Sequence, residues 1–471
     1  MDIFFYDTRQ RKKVQFKPLE PGIVKLYTCG PTVYTDSHIG NYRTFIFEDL
    51  LRRSLEFFGY RVTQVMNLTD VDDKTIRNAT ENGVSLKEFT APIIERFFRD
   101  IADLNIQPAD HYPAATDHIP EMIDLIKKLL EKGYAYIADG SVYFSIEKYA
   151  EYGKLSGMKI ENMVRGSRID ADEYEKDDFR DFALWRGASE ADGDVHWDAP
   201  FGSGRPGWHI ECSAMSMHYL GEQFDIHTGG VDNIFPHHEN EIAQSVCATG
   251  NRFVHYWMHS THLLYNGEKM SKSLGNIATF RELASQGYAA RSIRYVLLTT
   301  HYRQQLNFSK DAIKAAEASL VRLDTLRQAV SEATDLGNVR AEVESAIILA
   351  EKNFSAGLAD DLGISAAIAA LYDLVSAIHR IAQKSGLRKT EGEQVLQFWK
   401  KADSVLAFLF PGDDFPINIT KLVKERIIAR AEKNWELSDK LRLELSKYGY
   451  ELEDSLGGTT VSGSEGRVLV K

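Results

Sequence analysis

A small group of side chains in this sequence belongs to the types that bind metal ions. Most of them lie in one stretch, residues 204–241, and one lies far upstream. They are Cys29, Cys212, His237, His238, Glu239 and Glu241. Together they offer thiolate, imidazole and carboxylate groups, which are the ligands that zinc accepts. The composition of this stretch therefore indicates a metal site that also recruits the distant cysteine.

Local spacing supports this interpretation without choosing among the ligands. Pro236 suits the first turn of a helix, where its missing N–H costs nothing, so the run from His237 onward is predicted to be helical. His237 and Glu241 would then project from one face, four residues apart. The alternative is an ordinary solvated pair. Without a CxxC motif, the spacing leaves open which of His237, His238 and Glu239 would bind a metal.

A second pattern suits phosphate binding. The sequence SHIGN, residues 37–41, lies between a predicted strand and a predicted helix. Unpaired backbone N–H groups at the start of a helix attract phosphate, and Gly40 would let the backbone approach it closely. His38 and Asn41 could donate to phosphate oxygens without adding negative charge. Taken alone, the motif is more typical of an ordinary helix-entry turn.

A third pattern is the sequence GEKMSKSLGN, residues 267–276. Lys269 and Lys272, with two serines and flanking glycines, are typical of a mobile cationic loop that holds a polyphosphate as charge develops in a transition state. A solvated surface loop is the alternative for any two lysines. The pairing with the SHIGN motif favours the phosphate-binding interpretation.

These residues need a scaffold, and the sequence predicts a parallel sheet. The predicted elements are a strand at 24–30, a helix at 41–60, a strand at 61–70, and returning strands at 224–230 and 253–259. A strand, a helix and a strand in this order make a right-handed crossover, which begins a nucleotide-binding α/β sheet. Ligands bind such sheets at the carboxyl ends of the strands. Cys29, His38, Thr69 and Asp70 would gather there.

The pattern of the remaining chain predicts an insertion followed by a helical region. Residues 110–200 mix an amphipathic helix with short strands and an acidic stretch at 166–182, and they are predicted to be inserted into the sheet domain. Residues 307–408 are alanine-rich and helical in pattern, and the prolines and glycine of 411–416 predict a boundary. A basic helical segment at 421–450 opens the last domain.

Composition narrows the class of protein. The 471 residues are 44% hydrophobic and 26% charged, which is ordinary for a soluble globular protein of several domains. The net charge of −12 means that any contact with nucleic acid must use locally basic surface. Three cysteines argue against a disulfide framework and for a reducing cytoplasm. No signal peptide is predicted, and the apolar run 364–378 is too short to span a bilayer.

With these motifs assembled, the sequence resembles the class I aminoacyl-tRNA synthetases, and among them the cysteinyl-tRNA synthetases. HIGN lies where that class has its HIGH motif, and residues 269–273 match KMSKS letter for letter. The likeness to the cysteine branch extends through YTCGPTVYTDSHIGN, NLTDVDDK, GRPGWHIECSAM, FPHHENE and SDKLRLEL. It covers essentially the whole chain.

The resemblance implies a Rossmann-like parallel-sheet catalytic domain with an inserted connective peptide, a helical domain and a small anticodon-binding domain. The implied segments are the first half of the catalytic domain at 1–112, the insertion at 113–199, the second half at 200–255, a stem-contact region with the KMSKS loop at 256–310, the helical domain at 311–408 and the anticodon-binding domain at 409–471.

The resemblance also implies roles for single residues. One zinc ion would be held by Cys29, Cys212, His237 and Glu241. The pocket for the substrate cysteine would be lined by Thr69, Trp208 and Asp232, with Asp232 on the ammonium. ATP would lie on His38, Gly40, Asn41 and Lys272, accompanied by Mg²⁺, while Lys269 positions the loop. The implied partners are ATP, L-cysteine and tRNA(Cys), and the protein is expected to be a cytoplasmic monomer without a membrane partner.

Three other interpretations remain at this point. A ligase of the same descent could pass activated cysteine to an amino sugar, although the basic segment 421–447 favours tRNA. A zinc hydrolase would use His237, His238 and Glu241 as ligands and Glu239 as general base. A non-catalytic RNA-binding protein would carry a structural zinc.

The sequence also departs from the family pattern in places that avoid the predicted zinc and phosphate residues. Residues 360–367 lack the usual Asp-Asn-Thr pattern, Ser260 and Thr261 replace a usual His-Gly pair, and Val461 lies where the family often has Trp.

Overall fold

The structure is a computed structural model, and it describes residues 1–158, 168–169, 181–270, 277–409, 417–455, 458–463 and 466–470. The chain divides into two compact units. Unit 1 comprises Met1–Ala102, Gln107–His262 and Tyr302–Gln305, and unit 2 comprises Asp103–Ile106, Leu263–His301 and Leu306–Lys471. The finer division into six segments stays a prediction.

The helices are α1 (Ile39–Phe57), α2 (Asp73–Asn82), α3 (Leu86–Asp103), α4 (Ile119–Glu131), α5 (Trp208–Leu220), α6 (Glu239–Thr249), α7 (Phe280–Ser285), α8 (Ala290–Thr299), α9 (Lys310–Ser331), α10 (Ala341–Ala359), α11 (Ile364–Ser385), α12 (Lys389–Leu406), α13 (Ile417–Ala431) and α14 (Trp435–Lys447). The strands are β1 (Phe4–Asp7), β2 (Lys12–Gln15), β3 (Ile23–Thr28), β4 (Arg61–Met66), β5 (Ala135–Ala138), β6 (Ser141–Phe144), β7 (Arg168–Ile169), β8 (Asp181–Gly187), β9 (Gly204–Pro206), β10 (Phe224–Gly230), β11 (Val254–Ser260), β12 (Leu263–Tyr265), β13 (Glu268–Lys269), β14 (Leu306–Phe308), β15 (Glu451–Ser455), β16 (Gly458–Gly463) and β17 (Gly466–Val470).

A parallel sheet organises unit 1. Its strand order is β11-β10-β3-β4, and every neighbouring pair is parallel. The predicted strands and the helix between β3 and β4 are therefore confirmed, with ends shifted by a few residues. Thr28 pairs with Met66 on one side and with Thr228 on the other, so three strands end at the same edge. Whatever follows these strands must converge there.

The core explains why these segments fold as they do. Val24 and Leu26 of β3 are fully buried, and apolar residues of α1 at helical spacing, including Phe45, Leu51 and Leu55, are buried as well. A helix with such spacing lays one apolar stripe against a sheet.

The helix after Pro236 begins later than predicted. Residues Ile234–His238 form a wide helical turn, and α6 begins only at Glu239. The cause is Phe235, whose extended backbone (φ −139°, ψ 133°) separates the turn from a regular helix start. Pro236 is therefore not in the first turn of α6. The predicted contact survives, because His237 Nε2 still lies 3.1 Å from Glu241 Oε1.

The segment predicted as an insertion contains α4 and a sheet in the order β5-β6-β8-β7, with β9 paired to β8. Most of the acidic stretch at 166–182 lies outside the described residues. Strand β9 leads directly into α5, which carries Cys212. Arg205 of β9 is 1% exposed, its Nε donates to Asp192 Oδ1 at 2.8 Å, and it also pairs with Asp73 at the start of α2. These ion pairs anchor the buried Arg205 three residues before α5 begins.

Unit 2 is mainly helical from α8 to α12, as predicted for residues 307–408. Helix α11 has 22 residues and is long and apolar enough to cross a membrane by length and composition, so the prediction that this run is too short was wrong. Its buried residues, such as Ala367, Leu371, Leu374 and Ile378, recur at helical spacing, and α11 packs against α10. This packing accounts for its hydropathy.

The chain ends in a helical pair, α13 and α14, and an antiparallel sheet of β15, β16 and β17. The predicted boundary at 411–416 lies outside the described residues. Val461 is fully buried with Leu445, Tyr450 and Leu452, so the departure from the family pattern fills a small core in this region.

Replacement of Gly30 should disturb the edge where the strands end. An added Cβ would lie 1.8 Å from the Asn67 carbonyl oxygen, so Gly30→Ala must push the ends of β3 and β4 apart. We expect the free energy of unfolding to fall by about 1–3 kcal/mol, the usual cost of overpacking, as measured by urea denaturation. Gly230→Ala is the control, because its nearest neighbour would lie at 3.6 Å. Equal stability of the two variants would contradict this packing.

Candidate metal centre and phosphate-binding turn

The predicted zinc ligands meet at the edge where the strands end. Cys29 follows β3, Cys212 lies on α5, His237 lies in the turn before α6, and Glu241 lies in the first turn of α6. One ligand atom from each of them lies within 4.8 Å of every other. Three separate segments of the chain thus deliver four donors to one point.

This cluster is almost sealed from solvent. Glu241 is 0% exposed, Cys212 1%, His237 2% and Cys29 9%. The ring of His237 stacks on Trp208, with ring centroids 4.5 Å apart and an angle of 26° between the planes. Burial and stacking hold the imidazole in one orientation, so the predicted pocket residue Trp208 contacts a predicted ligand.

Burial and mutual contact shift the protonation of these groups. The pKa of Cys212 is held well below its usual value, first by a hydrogen bond from the Cys29 thiol and then by His237 and the Tyr27 hydroxyl. The same hydrogen bond, together with burial, raises the pKa of Cys29. Burial raises the pKa of Glu241 well above its ordinary value, and the nearby Cys212 thiolate adds to the rise. The pocket therefore brings anionic groups together in a buried environment that disfavours their charged forms.

The donor set fits a divalent cation. Glu241 Oε1 is buried and has no hydrogen-bond partner among the described residues, because its 3.1 Å approach to His237 is not aligned as a hydrogen bond. A buried charge without a partner is costly, and a coordinated metal removes that cost. Two sulfurs, an imidazole and a carboxylate at this spacing suit Zn²⁺ better than Mg²⁺ or Ca²⁺, which prefer oxygen.

A second group of possible ligands shares two members with the first. Cys29 and Glu241 also lie within 4.8 Å of donor atoms of His227 and His238. Cys29 Sγ lies 3.3 Å from His238 Nε2, and His227 Nε2 lies 3.0 Å from Glu241 Oε2. The sequence analysis weighed His238 and missed His227. The available signal was a histidine within a predicted strand, FDIHTGG, of the parallel sheet.

The insertion also holds the helix that carries Glu241. Glu239 Oε2 accepts a hydrogen bond from the Ser156 backbone N–H at 2.8 Å, and the Tyr152 hydroxyl donates to the Asn240 side chain. Both contacts involve the first turn of α6. The sequence did not reveal them, since nothing local to residues 150–158 indicates a partner more than eighty positions away.

His38 lies at the start of α1, as predicted. Its Nδ1 accepts from the backbone N–H of Gly40 at 3.1 Å and of Asn41 at 3.3 Å, and Asn41 Oδ1 accepts from the His38 N–H at 3.0 Å. The two backbone groups predicted to be unpaired are therefore engaged. An imidazole that accepts at Nδ1 carries its hydrogen on Nε2. Any phosphate bound at this helix start would therefore meet the side chain as a donor and not these two backbone groups.

Two further predicted pocket residues follow strands of the sheet. Thr69 is 1% exposed, accepts from Asn67 Nδ2 at 3.0 Å, and its carbonyl binds the Val33 N–H at 3.0 Å. Asp232 follows β10 and lies 3.0 Å from His262 Nδ1. Of the predicted loop lysines, Lys269 ends β13 in unit 2, and Lys272 lies outside the described residues.

Comparison with known proteins identifies the family to which the chain belongs. The family described as "tRNA synthetases class I (C) catalytic domain" matches residues 15–318. The cysteine–tRNA ligase of Protochlamydia amoebophila (strain UWE25) is 48% identical over 464 residues and 96% of each chain is covered. That of Chlamydia pneumoniae is 48% identical over 466 residues, with 98% of each chain covered. The chain belongs to the cysteine–tRNA ligase family.

Solved structures of more distant synthetases show that this family member has the class I fold. A methionyl-tRNA synthetase of Mycobacterium tuberculosis in complex with methionyl-adenylate is 15% identical, with a TM-score of 0.58 over 82% of this chain and 90% of that chain. A LeuRS–tRNA–LeuAMS ternary complex of Agrobacterium radiobacter K84 is 13% identical, with a TM-score of 0.60 over 84% and 85%. The predicted fold class is confirmed.

Replacement of one sulfur should empty the metal centre. Cys212→Ser removes a buried thiolate and leaves a hydroxyl that is a poor ligand for zinc, so we expect purified protein to lose its zinc. Metal content per chain, measured by emission spectroscopy, checks this. Cys247→Ser is the matched control, because Cys247 is also buried but belongs to neither ligand group. Zinc retained in Cys212→Ser would show that the ligand set is wrong.

Proposed function

We propose that this chain activates L-cysteine with ATP and transfers it to tRNA(Cys). The cysteine carboxylate would attack the α-phosphorus of ATP, the bond to the β-phosphate oxygen would break, and cysteinyl adenylate and pyrophosphate would form. A terminal ribose hydroxyl of the tRNA would then attack the acyl carbon and release AMP. The observation that carries the proposal is the buried quartet of two sulfurs, an imidazole and a carboxylate in a member of this family.

The quartet accounts for the choice of amino acid. A zinc ion held by Cys29, Cys212, His237 and Glu241 would supply a soft Lewis acid that binds a thiolate and disfavours a hydroxyl. An apolar pocket would separate cysteine from serine by only about 1–3 kcal/mol, whereas a bond made to one and not the other separates them further. No editing domain is then expected.

The residues around the quartet orient the substrate. Trp208 covers the ring of His237, which keeps that ligand in place as the substrate enters. Thr69 is held by its bond to Asn67 beside the end of β4. We assign Asp232 to the substrate ammonium, for which a carboxylate that is 55% exposed in its side chain is suited.

The ATP side rests on the start of α1. Because Nδ1 accepts in the cap, the His38 ring carries its hydrogen on Nε2, and Asn41 presents its amide nitrogen as a donor group because its amide oxygen accepts in the cap. Gly40 lets the phosphate come close. Lys269 and Lys272 of the KMSKS loop, with Mg²⁺, would neutralise the charge that develops on the leaving pyrophosphate. No protein nucleophile is needed.

The remaining regions take the roles that the sequence predicted. We assign residues 256–310 to the tRNA acceptor stem and 409–471 to the anticodon, and we propose a cytoplasmic monomer. Residues 421–447, which span α13, α14 and the turn between them, carry eight lysines and arginines, and such a locally basic segment is what an otherwise acidic chain needs for RNA.

The rival functions have less support. An amino-sugar acceptor is not supported, because the relatives are tRNA ligases that match over the full length, including the last domain. A zinc hydrolase would need Glu239 as general base. That carboxylate is 1% exposed and already accepts the Ser156 N–H.

Charging assays test the proposed function. Purified protein with total tRNA should attach cysteine and reject serine, even when serine is in excess. The readout is acid-stable label on tRNA for each amino acid in turn. Label from serine as readily as from cysteine would overturn the proposal, as would cysteine-dependent exchange of pyrophosphate into ATP without any charging of tRNA.

Two substitutions at His38 separate capping from phosphate binding. Asparagine is a good helix cap but lacks the Nε2 donor, so His38→Asn should keep the unfolding midpoint and slow pyrophosphate exchange by about 10²–10³-fold. His38→Ala should slow exchange similarly and also lose about 1 kcal/mol of stability. Exchange at the wild-type rate in His38→Asn would remove this residue from the ATP site.

A further inference from the structure

We propose that Asp73, Arg186 and Arg205 form an ionic clamp that sets the position of Trp208 relative to Thr69. The three clamp residues are positioning residues, because they act on the proposed cysteine pocket only through the two side chains that line it. The inference rests on the proposed function, and it adds to that function the contacts that keep two sides of the pocket at a fixed spacing.

The carboxylate of the clamp lies on a segment that is anchored at both ends. Asp73 is the first residue of α2, and Asp72 caps this helix by accepting a hydrogen bond from the Thr75 N–H at 2.6 Å. Thr69 lies four residues before Asp73, and its backbone N–H donates to the Pro31 carbonyl at 3.1 Å. The short segment that joins the pocket residue to the clamp therefore has little freedom to move.

Two arginines reach this carboxylate from neighbouring strands. Arg186 of β8 and Arg205 of β9 are directly paired in the antiparallel register, so their side chains leave the same face of the sheet. Nη1 of Arg186 and Nη2 of Arg205 both donate to Asp73 Oδ1. Arg205 Nε also donates to Asp192 Oδ1 at 2.8 Å, which fixes the orientation of a guanidinium whose side chain is only 2% exposed.

The balance of charge explains why the clamp needs a carboxylate at position 73. Two like charges directly opposite each other on neighbouring strands destabilise the pairing of those strands. The two arginines and the carboxylates of Asp73 and Asp192 are equal in number, so loss of the Asp73 charge would leave an excess cation in a largely buried cluster. We expect β9 to shift in response.

Strand β9 transmits such a shift to Trp208. Arg205 lies three residues before Trp208, which is the first residue of α5. Between them, the Gly207 N–H donates to the Leu184 carbonyl at 3.0 Å, and a Cβ added at Gly207 would lie 2.2 Å from a carbonyl oxygen of β8. The ring of Trp208 then stacks on His237. The clamp therefore joins the indole to the segment that follows β4.

The test is Asp73→Asn, which keeps the size of the side chain and removes its charge. We expect the KM for cysteine in pyrophosphate exchange to rise about 10-fold, the lower end of what one contact in a substrate pocket contributes. The KM for ATP should stay at the wild-type value. Zinc content should stay there as well, because no clamp residue belongs to either ligand group.

Asp311→Asn is the matched control, since it removes a carboxylate from the first turn of α9 in unit 2. This variant should keep both KM values. A lower unfolding midpoint of Asp73→Asn with an unchanged KM for cysteine would overturn the proposal, and so would an equal rise in the two KM values.

A second substitution distinguishes the clamp from a general effect of Asp73 on the fold. Arg186→Gln removes one of the two opposed cations, so in the Asp73→Asn background it should restore part of the affinity for cysteine. Additive losses from the two substitutions would overturn the proposal and assign Asp73 a structural role only. Wild-type protein without cysteine-dependent exchange would overturn the proposed function and this inference together. Normal exchange by the wild type confines any failure in the variants to the inference.

Discussion

The cost of burying anionic ligands is the constraint on which the rest of this structure depends. A thiolate and a carboxylate lie within 4.8 Å of each other in a pocket that water barely reaches. Removing each charge from water costs several kcal/mol, and a single imidazolium offsets only part of that. The arrangement becomes favourable when a divalent cation is bound. In unit 1 the ends of the strands, α5 and α6 therefore meet around polar ligands, at a point where apolar side chains would otherwise pack.

In the proposed function, the same edge of the sheet serves two kinds of recognition with two kinds of chemistry. On one side, the soft donors would hold the zinc ion that binds the side chain of the amino acid. On the other, the start of α1 would offer neutral nitrogen donors to phosphate, and its histidine also closes the first turn of its own helix. Because β3 leads to both, a shift in that one strand would disturb side-chain selection and phosphate binding together.

Much of the fold and of the candidate site could be predicted from the sequence, and each wrong or missed prediction has a physical cause. Ligand types, the crossover from β3 to β4 and the helical region all follow from local pattern. The predicted start of α6 was wrong because the backbone of Phe235 is extended. The ring of Phe235 packs near that of Tyr152, with centroids 6.5 Å apart, and a contact between such distant positions cannot be predicted from the local sequence. His227 joins the cluster only through the pairing of β10 with β3, where it lies opposite Tyr27. His38 was recognised, but histidine is not among the usual helix caps, so its use of Nδ1 could not be foreseen.

The hydrogen bonds from Tyr152 and Ser156 to the start of α6 connect the inserted segment to the helix that carries a predicted metal ligand. Through these bonds the inserted segment helps to position the helix that carries Glu241. Deleting this segment, or exchanging it with that of a relative, would therefore disturb the position of Glu241. A chimera that carries another protein's insertion should keep its selectivity for the amino acid only if that insertion also supplies hydrogen-bond partners for Glu239 and Asn240.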